Sequence, residues 1–501
     1  MKWLSLLFGL ALLPVCAGEA QFLNSQNAHA VGSAVRKGSE ILIDVPPGKA
    51  AGLNGIVYKV DLTPYRNCVV TFSVDAQAEN LTKPNPRHFG TKFMLLYTTP
   101  DGTKHYAESN GHYGTFSKKL TFSHTVSPDA AEAELRFAVQ KVAGKLRYDL
   151  STFRISTSFK KLNVRHQCEY SDAVKARPVR RGVVSPIRNQ ADEENFRVLQ
   201  QWNVNLLRLQ LNVSADWSRN KPELYNRAMD DKIESIIPKV LDLGQKYGIK
   251  VIIDLHMVPG GNDTQKNSPG IFGSEEAVNR FVALWERMAT KFKDHPALYG
   301  YGLFNEPRQN YPTKYDYWEI QHKAAQAIRR IDPETPIYVA SNLRSSQYTF
   351  DYLSPMKLKN IIYEVHCYDP FLYTHTPYTR KDREAGKPRP TYPGTFYGAR
   401  WDLEGVRSRL KAVKRFARDH QAKIYVGEFS TRACLDGADQ FLRDYITVFE
   451  ENQWDWTYHA FRESKIWSLE YAGPSDDELE PSQDNPRKRV LLEAFRKNRQ
   501  P

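Results

Sequence analysis

Two kinds of hydrophobic spacing divide this chain. Between residues 21 and 165 the apolar positions come in short alternating runs: "NCVVTFSVDAQA", "GTKFMLLYTT", "KKLTFSHTVS", "ELRFAVQKV" and "KLRYDLSTFRI". In the fourth run Leu135, Phe137 and Val139 share one face, and Glu134, Arg136 and Ala138 share the other. A period of two, with turn residues between runs, predicts half-buried strands and an antiparallel β-sandwich. From Arg180 onward the pattern changes. Apolar runs at "RRGVVSPI", "VNLLRLQL", "KVIIDLHM", "LYGYGLFNEP", "TPIYVASN", "NIIYEVHCYDP", "AKIYVGEFS" and "WDWTYHAF" alternate with helical segments such as "EEAVNRFVALWERMATKF" and "YWEIQHKAAQAIRRID". Eight such units predict an α/β fold, a (β/α)8 TIM barrel over residues 178–501. A doubly wound sheet is the alternative, but no glycine-rich phosphate loop follows any of the strands.

The first residues, "MKWLSLLFGLALLPVCAGEA", change the picture at one end only. A short positive start, an apolar core and small residues at Ala17, Gly18 and Ala20 predict a secretory signal peptide over residues 1–20. A lipoprotein anchored through Cys16 is the alternative. Either reading makes the protein exported, secreted or periplasmic. The apolar run is too short to span a bilayer. The cysteines beyond it are Cys68, Cys168, Cys367 and Cys434. An even count permits two disulfides, but four cysteines in so long a chain are no disulfide framework.

Across 501 residues, 41% hydrophobic and 25% charged, the composition is that of a soluble globular protein. Lys and Arg exceed Asp and Glu by 13. No dense basic block with interleaved aromatics occurs, so nucleic acid is not an expected partner. No His/Cys cluster has metal-ligand spacing, and neither metal nor cofactor is expected.

In a barrel the chemistry sits at the carboxyl ends of the strands. Those ends carry Arg208, His256, Asn305, Glu306, Asn342, His366, Tyr368, Glu428 and His459. Core packing alone does not concentrate polar residues in this way. Glu306 and Glu428, on the fourth and seventh strands, face each other across part of the mouth. Two carboxyl groups flanking one bond are what glycoside hydrolysis requires: one protonates the leaving oxygen, the other attacks or activates water. A nearby Arg208 would keep Glu428 ionised. His366 and Tyr368, two apart, point inward together, while Cys367 points toward the helices. His256 shares parity with Asp254, which would fix its tautomer.

The stretches "VNLLRLQL", "VIIDLHMVPGG", "HPALYGYGLFNEP", "AIRRIDPETPIYVAS", "NIIYEVHCYDP" and "IYVGEFS" resemble, in order, those of glycoside hydrolase family 5, which includes many cellulases and mannanases. The resemblance implies that Glu306 is the acid/base, Glu428 the nucleophile and Asn305 a donor to the sugar 2-hydroxyl. One departure stands out. The family usually shows a Trp at the end of the eighth strand, where this chain has His459, with Trp456 inside the strand and Trp467 beyond it. Trp467 then becomes the candidate sugar platform. The long segment "DPFLYTHTPYTRKDREAGKPRPTYPGTFYGARW" follows the sixth strand on the catalytic face. Its tyrosines and Trp401 are candidates for stacking on sugars, against a simply solvated loop. Near the amino terminus, "AVQKVAGKLRYDLSTFRI" resembles the closing strands of jelly-roll carbohydrate-binding modules.

The sequence therefore predicts an exported, monomeric, retaining β-glycosidase acting on a polysaccharide or oligosaccharide, with an accessory sandwich. A transglycosylase using the same two glutamates is the alternative within enzymes. A non-catalytic carbohydrate-binding barrel is the alternative outside them.

Overall fold

The computed structural model describes residues 22–499 apart from 66–67, 87, 100–103, 128–129, 160–165, 187–191, 266–267, 311–312 and 352. The expected signal peptide and Cys16 lie outside these residues. The chain divides into two compact units with the main boundary between residues 161 and 162.

The first unit is the predicted sandwich. One antiparallel sheet runs in the order Ala28–Val31, Leu53–Asp61, Glu132–Gln140, Gly90–Thr98, Lys104–Asn110. The other runs Val35–Lys37, Glu40–Val45, Gly144–Phe159, Cys68–Leu81, Gly114–Thr125. Alternation decides what is buried: Cys68, Val70, Phe72, Val74, Ala76 and Ala78 all face the core. Aromatic rings fill the centre, with Phe93 and Phe122 centroids 4.9 Å apart.

The second unit is the predicted barrel. Eight parallel strands close on themselves: β1 (Arg181–Pro186), β2 (Leu206–Gln210), β3 (Lys250–Asp254), β4 (Leu298–Gly302), β5 (Ile337–Ala340), β6 (Ile361–Cys367), β7 (Lys423–Phe429) and β8 (Asp455–His459). Closure is the pairing of β1 with β8, Val184 opposite His459. Outward side chains pack under amphipathic helices such as Glu275–Phe292, Tyr317–Ile331 and Ala438–Glu451. Side-chain caps start several of them: Ser274 accepts from the Ala277 amide and Asp316 from the Trp318 amide. Before the helix Ile237–Tyr247 a π turn covers Lys232–Ile236. Pro238 explains it, since proline lacks an N–H and its ring crowds the carbonyl four residues back. After β5 the expected helix is replaced by a short turn and a 3-10 stretch at Gln347–Asp351.

The barrel interior is layered. Leu206, Ile252, Tyr299, Tyr338, Ile362 and Tyr425 form an apolar and aromatic floor. Two residues further along the same strands, with the same inward parity, stand Arg208, Asp254 and Glu364, all fully buried.

The segment after β6 is an ordered structure rather than a bare loop, with helices Phe371–Thr374 and Arg380–Glu384 and a hairpin of Gly394–Phe396 with Ala399–Trp401. Trp401 is 1% exposed under the Arg409 guanidinium. It is a core residue there and cannot stack on a sugar, which corrects one expectation. Tyr373, Tyr378 and Tyr392 are also buried. Cys168, Cys367 and Cys434 are buried free thiols, so the two disulfides that the count permits do not form among the described residues.

Candidate active site

Arg208, rising from β2 with no exposed surface, organises the mouth. Its Nη1 donates to Glu428 Oε1 at 2.8 Å. Its Nη2 donates to Asn305 Oδ1 at 2.9 Å and Asp254 Oδ1 at 3.0 Å, and lies 2.9 Å from Glu364 Oε1. A buried guanidinium is costly unless paired, and here its two terminal nitrogens are surrounded by three carboxylates and an amide oxygen. Burial opposes the Arg208 charge, but Asp254, Glu364 and Glu428 outweigh it and raise its pKa well above the ordinary value.

Glu428 reaches the interior through a bulge. Strict alternation from the inward Tyr425 would place Gly427 inward and Glu428 against the helices. The β6–β7 register slips between Val365 and His366, so that His366 pairs with Glu428 and Gly427 is left over. A bulge of this kind re-aims the side chain that follows. Glycine is required at the bulge, since a Cβ at 427 would lie 2.0 Å from Glu364 Oε1 and 2.8 Å from His366 Nε2. Tyr368 completes the setting by donating its hydroxyl to Glu428 Oε2 at 2.7 Å. Burial alone would raise the Glu428 carboxyl. The charges of His366, His459 and Arg208 more than reverse that and hold it well below the usual carboxylate range.

Glu306 stands four residues beyond β4, in the left-handed region at φ 47°. A non-glycine residue pays roughly 1 kcal/mol for that conformation, and the flanking backbone is held to it from both sides. Asn262 Nδ2 donates to the Asn305 carbonyl at 2.6 Å, and the Arg308 amide donates to the Asn262 carbonyl at 2.8 Å. Its carboxylate is partly exposed and meets His366 Nδ1 at 3.0 Å. His366 Nε2 meets Glu364 Oε1 at 2.9 Å, and its Nδ1 lies 3.8 Å from Glu428. Burial would lower the imidazole, but Glu428, Glu306 and Glu364 raise it to about 10. His366 is therefore an imidazolium that donates to both glutamates.

Glu306, His366 and Glu428 offer atoms all within 4.8 Å of one another, a spacing that would also suit a metal ion. His256 sits at the rim with Nδ1 2.9 Å from Asp254 Oδ2, and its Nε2 is 3.3 Å from Asn305 Nδ2. Asn305 thus keeps its second N–H for a ligand. Asn342 is turned away, bonded both ways to the Gln309 backbone, and braces the β4 loop.

His459 ends β8 and pairs with Glu463 at 2.6 Å. Burial lowers its pKa, yet Glu428 and Glu463 raise it above the ordinary value. Trp467 is half-buried beside it, with centroids 5.9 Å from His459, 6.4 Å from Tyr368 and 5.4 Å from His375. Trp456 faces the helices and stacks on Phe495. The structure therefore gathers Arg208, His256, Asn305, Glu306, His366, Tyr368, Glu428, His459 and Trp467 at one mouth. Sequence reasoning missed Glu364, Asn262 and Glu463. Glu364 carried a signal, the inward parity it shares with His366 and Tyr368; the other two stand on loops, where no periodicity points to them.

The family model for cellulase (glycosyl hydrolase family 5) matches residues 173–465. The chain belongs to this family. Endoglucanase C of Acetivibrio thermocellus is 25% identical over 247 residues, 43% of this chain and 69% of that protein. Cellodextrinase A of Ruminococcus flavefaciens is 28% identical over 192 residues, covering 37% and 54%. The beta-xylosidase of Phanerodontia chrysosporium is 22% identical over 233 residues, covering 45% and 48%. Among solved structures, the endoglucanase Cel5A of Thermotoga maritima aligns over 63% of this chain and 96% of its own, at 20% identity and a TM-score of 0.45. The protein is thus a glycoside hydrolase of family 5. Among the described residues no helix is long and apolar enough to cross a membrane.

Proposed function

We propose that this protein is an exported, retaining β-glycosidase that cleaves β-linked glucan or mannan chains by double displacement. One observation carries the reading: oxygens of Glu306 and Glu428 approach within 4.8 Å at the barrel mouth. Retaining glycosidases hold their carboxyl groups about 5–5.5 Å apart, too close for a water on the far face of the sugar. The divided environments support the division of labour. Glu428, held ionised by Arg208 and donated to by Tyr368, is the nucleophile. Glu306, partly exposed, is the acid/base that protonates the leaving oxygen and later takes a proton from water. Asn305 bonds the 2-hydroxyl, and Trp467 supplies the platform for the ring at the cleavage point. The relatives named endoglucanase and cellodextrinase favour a β-glucan. Residues 178–501 carry this chemistry, and the sandwich over 21–165 is an accessory module.

Proton NMR of the first-formed product tests the mechanism. The β anomer is expected before mutarotation; early α anomer overturns it. A panel of β-glucans, mannans and xylans identifies the chain that is cut.

A further inference from the structure

The rim next to Glu306 carries two guanidinium groups that no part of the mechanism uses. Arg308 follows Glu306 by two residues. Arg344 stands on the turn after β5, and its amide donates to the Pro307 carbonyl at 3.1 Å. The Gln309 amide donates to Asn342 Oδ1 at 2.9 Å, and Asn342 Nδ2 donates to the Gln309 carbonyl at 3.0 Å. These bonds lash the two segments side by side, so Arg308 and Arg344 emerge as neighbours. Both are exposed. Neither guanidinium has an ion pair or hydrogen bond among the described residues. Asp263, whose backbone bridges to Arg308, gives its carboxylate to Arg219. Burial, and then the charge of Arg344, lower the Arg308 pKa from its ordinary value, as expected of two cations in mutual reach.

The backbone beneath Arg344 is itself unusual. Leu343, Arg344 and Ser345 are consecutive left-handed residues at φ 51°, 65° and 54°, none of them glycine. Such conformations persist only where the surroundings over-determine them, and they cluster at ligand clamps. Arg344 also acts electrostatically on His375, the residue packed against Tyr368 and Trp467. Its charge is therefore within electrostatic reach of the cleft wall. His375 itself, driven down to about 4 by burial and by Arg432, His459 and Arg344, is neutral and cannot offset it. Phe371, stacked on His375 at 3.8 Å, is exposed beside it.

We propose that Arg308 and Arg344 form an anion-binding subsite on the leaving-group side of the cleft, taking a sugar that bears a carboxylate or a sulfate ester. The side follows from chain order. The acid/base delivers its proton to the leaving oxygen, so the departing sugar passes Glu306 and the residues next to it. A planar guanidinium matches either oxyanion bidentately, and two of them without a protein partner leave that role to the ligand. The inference rests on the glycosidase reading and names the kind of substrate for that same site.

The test uses the full-length protein and aryl β-glycosides of whichever sugar it accepts. Three leaving groups are compared: 4-hydroxybenzamide, which is neutral, 4-hydroxybenzoate and 4-hydroxybenzenesulfonate. The readout is the ratio of anionic to neutral kcat/KM for the wild type and for Arg308→Gln/Arg344→Gln. The double variant is expected to lower that ratio about tenfold, the scale of two rim charges, and Arg308→Lys/Arg344→Lys to restore part of it. In 1 M salt, where the Debye length is about 3 Å, the wild-type ratio should fall toward that of the Gln variant. Whichever anion loses more identifies carboxylate or sulfate as the ligand. Ratios that do not change between the wild type and the Gln variant overturn the subsite while leaving the glycosidase standing. No cleavage of any of the three glycosides by wild type overturns the glycosidase and the subsite with it. Because the neutral substrate is measured on the same protein, a loss of fold lowers both rates and leaves the ratio unchanged.

Discussion

The floor and the mouth of the barrel are built by the same strands, two residues apart, and have opposite chemistry. At the floor, Leu206, Ile252, Tyr338, Ile362 and Tyr425 bury carbon against carbon. At the mouth, Arg208, Asp254, Glu364, His366 and Glu428 bury charge against charge. Each floor side chain is stable by itself, at about 1.5–3 kcal/mol of burial. No mouth residue is. Each is tolerable only through its neighbours, and breaking a buried pair strands an uncompensated charge at about 3–5 kcal/mol. The floor therefore holds the fold and tolerates change one residue at a time. The mouth holds a defined pattern of protons and charge, which is what two glutamates of unlike duty require.

The comparison is broken most severely at Glu428. Glu428→Gln is expected to reduce turnover on the order of 10⁵-fold, with circular dichroism unchanged. Azide rescue of Glu428→Ala should yield the inverted α-glycosyl azide, and no rescue would count against its role. Glu306→Ala should cost about 10²–10⁴-fold on substrates with poor leaving groups. Activated aryl glycosides need no proton and should lose far less; equal losses on both would remove Glu306 from acid catalysis.

At the floor the effect should fall on stability instead. Ile252→Ala should cost about 2–5 kcal/mol by cavity formation, read as a shifted denaturant midpoint, with kcat/KM of the folded fraction kept. A catalytic loss without a midpoint shift would mean that the floor tunes the mouth directly.

The mouth also predicts a pH window. The folded pKa of His366 is raised to about 10, above its ordinary value near 6.5. Its contribution to stability is then fully present below pH 6.5 and is lost as pH rises toward 10. Denaturant midpoints of wild type should fall across that range more steeply than those of His366→Gln. Parallel curves would mean that the imidazole is not held charged. Glu428, depressed in the fold, works the other way, and its contribution is lost only as pH falls below the carboxylate range.

The smallest effect should come from Tyr338→Phe. Among the described residues the buried Tyr338 hydroxyl has no hydrogen-bond partner, so removing it should stabilise the protein by about 1 kcal/mol. A destabilised variant would mean that the hydroxyl is bonded after all.

Periodicity in the sequence determined the two architectures, because spacing at two and near 3.6 residues follows from strand and helix geometry alone. It also determined which residues share inward parity, so that Arg208, Asp254, His366 and Tyr368 were legible as one interior set. It could not determine Glu428's direction, because alternation counts residues and a bulge at Gly427 adds one. Nor could it show that Trp401 lies in the core, or that the loops after β4 and β5 are bonded so as to bring Arg308 beside Arg344. Those outcomes depend on which segments meet when eight strands close into a ring, and closure sets distances between residues far apart in the chain. Glu364 shows the boundary: its parity with His366, two residues on along β6, was readable in "YEVHCY", but its contact with Arg208 exists only once β2 and β6 face each other across the barrel.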